Sequence, residues 1–130
     1  MGTRYLADSN ALIDFLEGRL PLKGKQLLFE VLDLGELLIS VVTEIEVLGF
    51  QAPEEYLQKV QQLIDAAEVI PLSDAPIIRE AITIRRTART KLPDAVIAAT
   101  AKVRGLTLLS RNDKDFSRVE GLTVLNLHTL

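Results

Sequence analysis

Short apolar runs alternate with longer stretches of helical apolar spacing along this chain, and that alternation constrains the fold more than any other feature. Arg4-Tyr5-Leu6-Ala7, Leu37-Leu38-Ile39-Ser40-Val41, Val69-Ile70-Pro71-Leu72, Leu106 to Leu109 and Val124-Leu125 read as short strands. Helical spacing covers Asn10–Leu16, Lys25–Leu34, Thr43–Gly49, residues 53–67, Asp74–Arg89 and Pro93–Arg104. Strands alternating with helices predict a parallel sheet covered on both faces. The expected fold is therefore α/β, a three-layer α/β/α sandwich around a parallel sheet of about five strands.

The punctuation is consistent with this order. Ser9 reads as a cap for the first helix, Gly18, Pro21 and Gly24 as a loop, and Gly35 and Gly105 as helix stops. Pro71 places the third strand at an edge, or ends it. No repeat, low-complexity tract or linker interrupts the 130 residues, which predicts one domain over 1–130.

Residue types then narrow the chemistry. The chain has no cysteine, which removes disulfides, thiolate zinc sites and cysteine nucleophiles. Its one histidine, His128, reads as a tail residue, so a histidine zinc site or a Ser-His-Asp triad is hard to assemble. Hydrolytic chemistry, if present, falls to carboxylates. The start lacks a charged region followed by an apolar one, and Leu6 breaks the acylation pattern. The richest apolar runs, Leu37–Val42 and Ala95–Ala101, are far shorter than the ~18 residues that span a bilayer. A cytoplasmic protein with no membrane partner is expected.

The net charge of −3 is unevenly spread. Between Arg79 and Arg118 ten basic residues face four acidic ones, a local balance of +6. This permits a phosphate-facing surface on an acidic protein, although a solvated helix face explains the charge alone equally well.

In open α/β sheets, ligands bind beyond the carboxyl ends of the strands. Four acidic segments are expected there: Ala7-Asp8-Ser9-Asn10, Thr43-Glu44-Ile45-Glu46, Leu92-Pro93-Asp94-Ala95, and Ser110-Arg111-Asn112-Asp113-Lys114-Asp115-Phe116. Each alone has a plain explanation as a turn residue, a solvated carboxylate or a helix-end acid. Together at one sheet edge they would repel one another unless a cation neutralised them. Hard oxygen donors suit Mg²⁺ or Mn²⁺, which point to metal-assisted phosphodiester hydrolysis.

In these segments the chain resembles the PIN domain family, in particular the VapC-like toxins of toxin–antitoxin pairs. Tyr5-Leu6-Ala7-Asp8-Ser9-Asn10 is similar to the family's strand-Asp-Thr/Ser-Asn opening. Thr43 with Glu46 three residues on, Leu92 to Ala101, and Leu109 to Phe116 resemble its later motifs in order. The resemblance implies a Mg²⁺- or Mn²⁺-dependent ribonuclease acting on RNA, a cognate antitoxin and a homodimer. It makes Asp8 and Asp94 the principal metal ligands, with Glu46 binding directly or through water, and Asp115 ahead of Asp113 as the fourth acid. Thr43 favours Glu46 over Glu44, which on a helix points some 200° away. Ser9 would order Asp8, touch phosphate or cap the helix, with Asn10 and Asn112 in support. Arg85, Arg86, Arg89 and Lys91 lie just before Asp94 and are expected to grip the RNA backbone. The apolar helices around 25–34 and 53–67 either form partner surfaces or are consumed by the core. Two rival readings are a non-catalytic PIN-like module that binds RNA or protein, and a metal-dependent DNA nuclease. An aspartate-nucleophile phosphatase would want Asp-x-Asp after the first strand, where this chain has Asp8-Ser9-Asn10.

Overall fold

A computed structural model describes residues 4–130, so the reading of the extreme start, Met1 to Thr3, lies outside the described residues. Strands β1 (Tyr5–Ala7), β2 (Leu37–Ser40), β3 (Glu68–Ile70), β4 (Thr107–Leu109) and β5 (Val124–Leu125) form one sheet in the order β3-β2-β1-β4-β5. Every pairing is parallel, as the apolar strand runs predict. Helices α1 (Ser9–Leu16), α2 (Leu22–Asp33), α3 (Val41–Leu48), α4 (Glu54–Asp65), α5 (Ala75–Ala88), α6 (Leu92–Arg104) and α7 (Asp113–Phe116) complete the layers.

Strand side chains alternate between the two faces. Leu6, Leu38, Ile70 and Leu108 point into a core closed by Ile77, Ala81 and Ile84 of α5 and by α6. Ala7, Leu37, Ile39 and Leu109 point the other way, onto Leu12 of α1, Leu28 and Val31 of α2, Val47 of α3 and Ile64 of α4. The small residues Ala95, Ala98, Ala99 and Ala101 are fully buried, which lets α6 approach the sheet and α5 closely. Helix α4 turns Val60, Leu63 and Ile64 into the core. On α2, Leu22, Phe29 and Leu34 stay exposed.

Several local expectations give way to tertiary contacts. Strand β3 is an edge strand, as Pro71 predicts, but it stops at Ile70 and leaves out Pro71 and Leu72, because proline has no N–H for the ladder. Helix α3 begins at Val41, with the Ser40 hydroxyl accepting from the Val42 N–H at 3.1 Å. Gly24 is not a loop residue. It lies inside α2, where any Cβ would overlap the Leu127 carbonyl oxygen, so glycine serves close packing there. The cap of α1 is Asp8 rather than Ser9. The short α7 forms where the sequence predicts turn and capping residues, four residues being too few for a periodic signal. His128 is no free tail residue, because its Nε2 lies 2.9 Å from Oδ2 of buried Asp14. Among the described residues, no helix is long and apolar enough to cross a membrane.

Candidate active site

Strand order reverses between β1 and β4, since β2 and β3 extend to one side and β5 to the other. That reversal opens a crevice beyond the carboxyl ends of β1 and β4. Ala7 pairs with Leu109, so the residues that follow, Asp8 and Ser110, emerge side by side. The Asp8 N–H donates to Leu109 O at 2.9 Å. The Asp8 carboxylate is buried and accepts three hydrogen bonds. Oδ1 accepts from the Ser9 N–H at 2.8 Å, while Oδ2 accepts from Asn10 Nδ2 and from Ser110 Oγ, each at 2.9 Å. The Ser110 hydroxyl also accepts from the Asn112 N–H at 3.0 Å, tying the exit of β4 to the same carboxylate.

Ser9 has a different task from the cap expected of it. Its hydroxyl donates to Glu46 Oε1 at 2.6 Å, joining the start of α1 to the exposed face of α3. The partner is Glu46 and not Glu44. Thr43, one turn earlier, is fully buried, and its hydroxyl has no hydrogen-bond partner among the described residues. It therefore sits behind the site, without a surface on which to meet a substrate.

Asp94 lies in the first turn of α6, where the helix N-terminus favours negative charge. It lines a cavity of about 220 Å³ together with Asn112 and Asp115, and Arg89, Lys91 and Arg118 form the basic part of the same wall. Asp113 does not line that cavity. The basic residues expected to act together are divided. Arg85 and Arg86 line a separate apolar cavity of about 390 Å³, beside Ile78, Ile82 and Leu92. Arg89 sits at the C-cap of α5 with φ 53°, in the left-handed region that favours glycine, and this turn delivers it to the acidic cavity.

The electrostatics reflect burial first and crowding of like charges second. Burial pushes the Asp8 carboxyl up to about 6, against the lowering effect of Ser110 and the Ser9 N–H, and Asp94 and Glu46 raise it further. Asp94 is also raised, by burial first and then by Glu46, with Lys91 opposing and Asp115 adding to the rise. Asp94 and Glu46 thus disfavour the charged form of Asp8, and Glu46 and Asp115 that of Asp94, the condition that a bound cation relieves. Among the described residues no three acidic or histidine side chains close into a ready-made metal cage. An open, all-oxygen set of this kind fits Mg²⁺ or Mn²⁺, which bind through one or two carboxylates and retain water and substrate phosphate as further ligands.

Ser110 and Arg118 were missed as individual site residues. Ser110 carried a signal: it follows the β4 apolar run just as Asp8 follows that of β1. Arg118 carried none beyond its place in the basic stretch.

A family model described as the PIN domain matches residues 5–122. A comparison with curated proteins found no match. Among solved structures, a toxin–antitoxin complex from Klebsiella pneumoniae is 28% identical with a TM-score of 0.76, covering 97% of this chain and 99% of that one. DNA-bound VapBC from Salmonella typhimurium is 25% identical with a TM-score of 0.82 and the same coverage. FitAcB from Neisseria gonorrhoeae, at 21% identity and a TM-score of 0.77 over 97% of this chain and 99% of that one, shares the fold.

Proposed function

The chain belongs to the PIN domain family, and from that premise we propose that it is a metal-dependent endoribonuclease, the toxin of a VapC-like toxin–antitoxin pair. The observation that carries this reading is that Asp8 and Asp94 at the β1/β4 crevice are both raised, each by burial first and also by the charge of Glu46, which the two share as a neighbour. Asp8 and Asp94 would hold Mg²⁺ or Mn²⁺, with Glu46 reaching the ion directly or through water and Asp115 as the fourth acid. When bound, such an ion supplies activation of water and neutralisation of charge on the scissile phosphate.

The chain's own residues do the rest. Ser110, Asn10 and the Ser9 N–H fix the Asp8 carboxylate and leave a lone pair on Oδ1 for the ion. The Ser9 hydroxyl holds Glu46 toward Asp8 and Asp94. Arg89, Lys91 and Arg118 share a cavity wall with Asp94 and Asp115 and would grip the RNA phosphates there. Arg85 and Arg86, one helical turn back, lie beside the apolar groove and are assigned a weaker, flanking role.

The toxin–antitoxin complexes among the structural relatives support an antitoxin partner for this chain, and a cytoplasmic setting belongs to the same reading. A homodimer belongs to the same reading. The exposed apolar residues on α2 and along the α5–α6 groove offer surface for both contacts.

Incubation of the full chain with labelled single-stranded RNA and matching DNA, with Mn²⁺ or with chelator, tests the reading. Metal-dependent RNA cleavage is expected. Cleavage of DNA alone would make it a DNA nuclease, and RNA binding without cleavage a non-catalytic module.

A further inference from the structure

We propose that Asp14, which lies outside the acidic cavity, is a positioning residue that sets the geometry of the metal-site acids through Arg111. The proposal rests on the assignment of Asp8 and Asp115 to the active site.

Asn10 and Asp14 stand four residues apart on α1 and so share a face. Between them they hold Arg111 at both ends. Asn10 Oδ1 accepts from the Arg111 backbone N–H at 3.1 Å. The Asp14 carboxylate accepts from Arg111 Nη1 at 3.0 Å on one oxygen and 3.2 Å on the other. Arg111 is flanked by the two residues that bind the site: Ser110 donates to Asp8, and the Asn112 N–H donates back to Ser110. From Asn112 the chain enters α7, which carries Asp115 to the cavity. Clamping Arg111 therefore fixes where the exit of β4 lies relative to the end of β1.

Asp14 is built for a fixed position. Its carboxylate is 1% exposed, while the Arg111 and Arg19 side chains above it are about half exposed, at 51% and 49%. Arg19 Nη1 contributes at 3.4 Å and His128 Nε2 at 2.9 Å, so three separate segments converge on one buried anion. Buried ion pairs are weak sources of net stability, and their best-attested use is to specify one arrangement over its neighbours. Here the specified arrangement is the register of the Ser110-Arg111-Asn112 segment against α1. A loop free to slide would withdraw the Ser110 donor from Asp8 and move Asp115 away from Asp94.

Arg111→Met in the full chain, with Arg111→Lys as the conservative control and Asp14→Asn as a second route to the same break, tests this. Circular dichroism first establishes that each variant is folded. Three readouts follow: amide hydrogen exchange at Arg111 and Asn112, affinity for Mn²⁺ alone, and the split between kcat and KM for RNA cleavage. In Arg111→Met, exchange at both amides is expected to speed up, Mn²⁺ affinity to fall by about tenfold, and kcat to fall with KM unchanged. Arg111→Lys should recover part of each. A folded Arg111→Met with wild-type exchange and wild-type Mn²⁺ affinity would overturn the proposal. So would a rise in KM alone, which would make Arg111 a direct RNA contact. If the wild type fails to cleave RNA yet Arg111→Met still loosens the segment and weakens Mn²⁺ binding, the positioning role stands and the nuclease reading falls.

Discussion

The Ser9 hydroxyl donates to Glu46 Oε1 at 2.6 Å, linking the end of β1 to α3 across 37 residues of sequence. Without that bond Glu46, an exposed glutamate with free rotamers, would pay side-chain entropy each time it adopted the working geometry. Ser9→Ala is therefore expected to lower metal-dependent RNA cleavage by about tenfold, in the range of outer-shell partners in metal sites. Ser9→Thr keeps the hydroxyl and should retain most activity. Cleavage rates of the two variants at saturating Mn²⁺ make the comparison, and equal loss in both would sink this role for the hydroxyl.

The raised Asp8 carboxyl gives a pH dependence with a definite sign. Its folded value of about 6 lies above the ordinary 3.8. Protonated Asp8 thus stabilises the metal-free fold fully below the unfolded value, and this contribution is lost as pH rises through about 6. The difference corresponds to roughly 3 kcal/mol at neutral pH. In chelator, Asp8→Asn should melt at a higher temperature than the wild type at pH 7.5, with the gap closing toward pH 4. Mn²⁺ should raise the Tm of the wild type at pH 7.5 and do so much less at pH 5, where Asp8 holds a proton. A gap that is constant across this range would contradict the assignment.

Arg89 separates stability from function. Its left-handed backbone, φ 53°, costs a non-glycine residue about 1 kcal/mol. Arg89→Gly should relieve that strain and hold or raise the Tm. The same change removes a guanidinium from the wall of the acidic cavity, so KM for RNA should rise several-fold and the salt dependence of binding should flatten. A stabilised variant with unchanged salt slope would show that Arg89 does not meet the phosphates.

Much of the fold was legible because its signals are local. Leu37-Leu38-Ile39 is apolar on both faces, which only a covered parallel strand requires, and Gly105 after α6 adopts the left-handed stop its position predicts. Asp8, Asp94 and Asp115 stood out as acids beside the ends of such elements, and Glu46 by its spacing from Thr43. What escaped depends on contacts between distant segments. Gly24 reads as a loop residue until Leu127 is seen packed against it. His128 reads as a tail until it meets Asp14, 114 residues away. Ser110 acquires its role only from the pairing of Ala7 with Leu109. Arg85 and Arg89 look equivalent in sequence, and only the left-handed turn at the end of α5 sends one to the acidic cavity and leaves the other at the apolar groove.

Mn²⁺ binding to the wild type, Asp8→Asn and Asp94→Asn, followed directly by titration at pH 7.5 and paired with cleavage of labelled RNA, addresses the site most directly. Asp8 and Asp94 come from different elements, so loss of Mn²⁺ affinity and of cleavage in both single variants is expected, with each variant still folded. Wild-type Mn²⁺ affinity in either folded variant would contradict a metal held jointly by these two carboxylates.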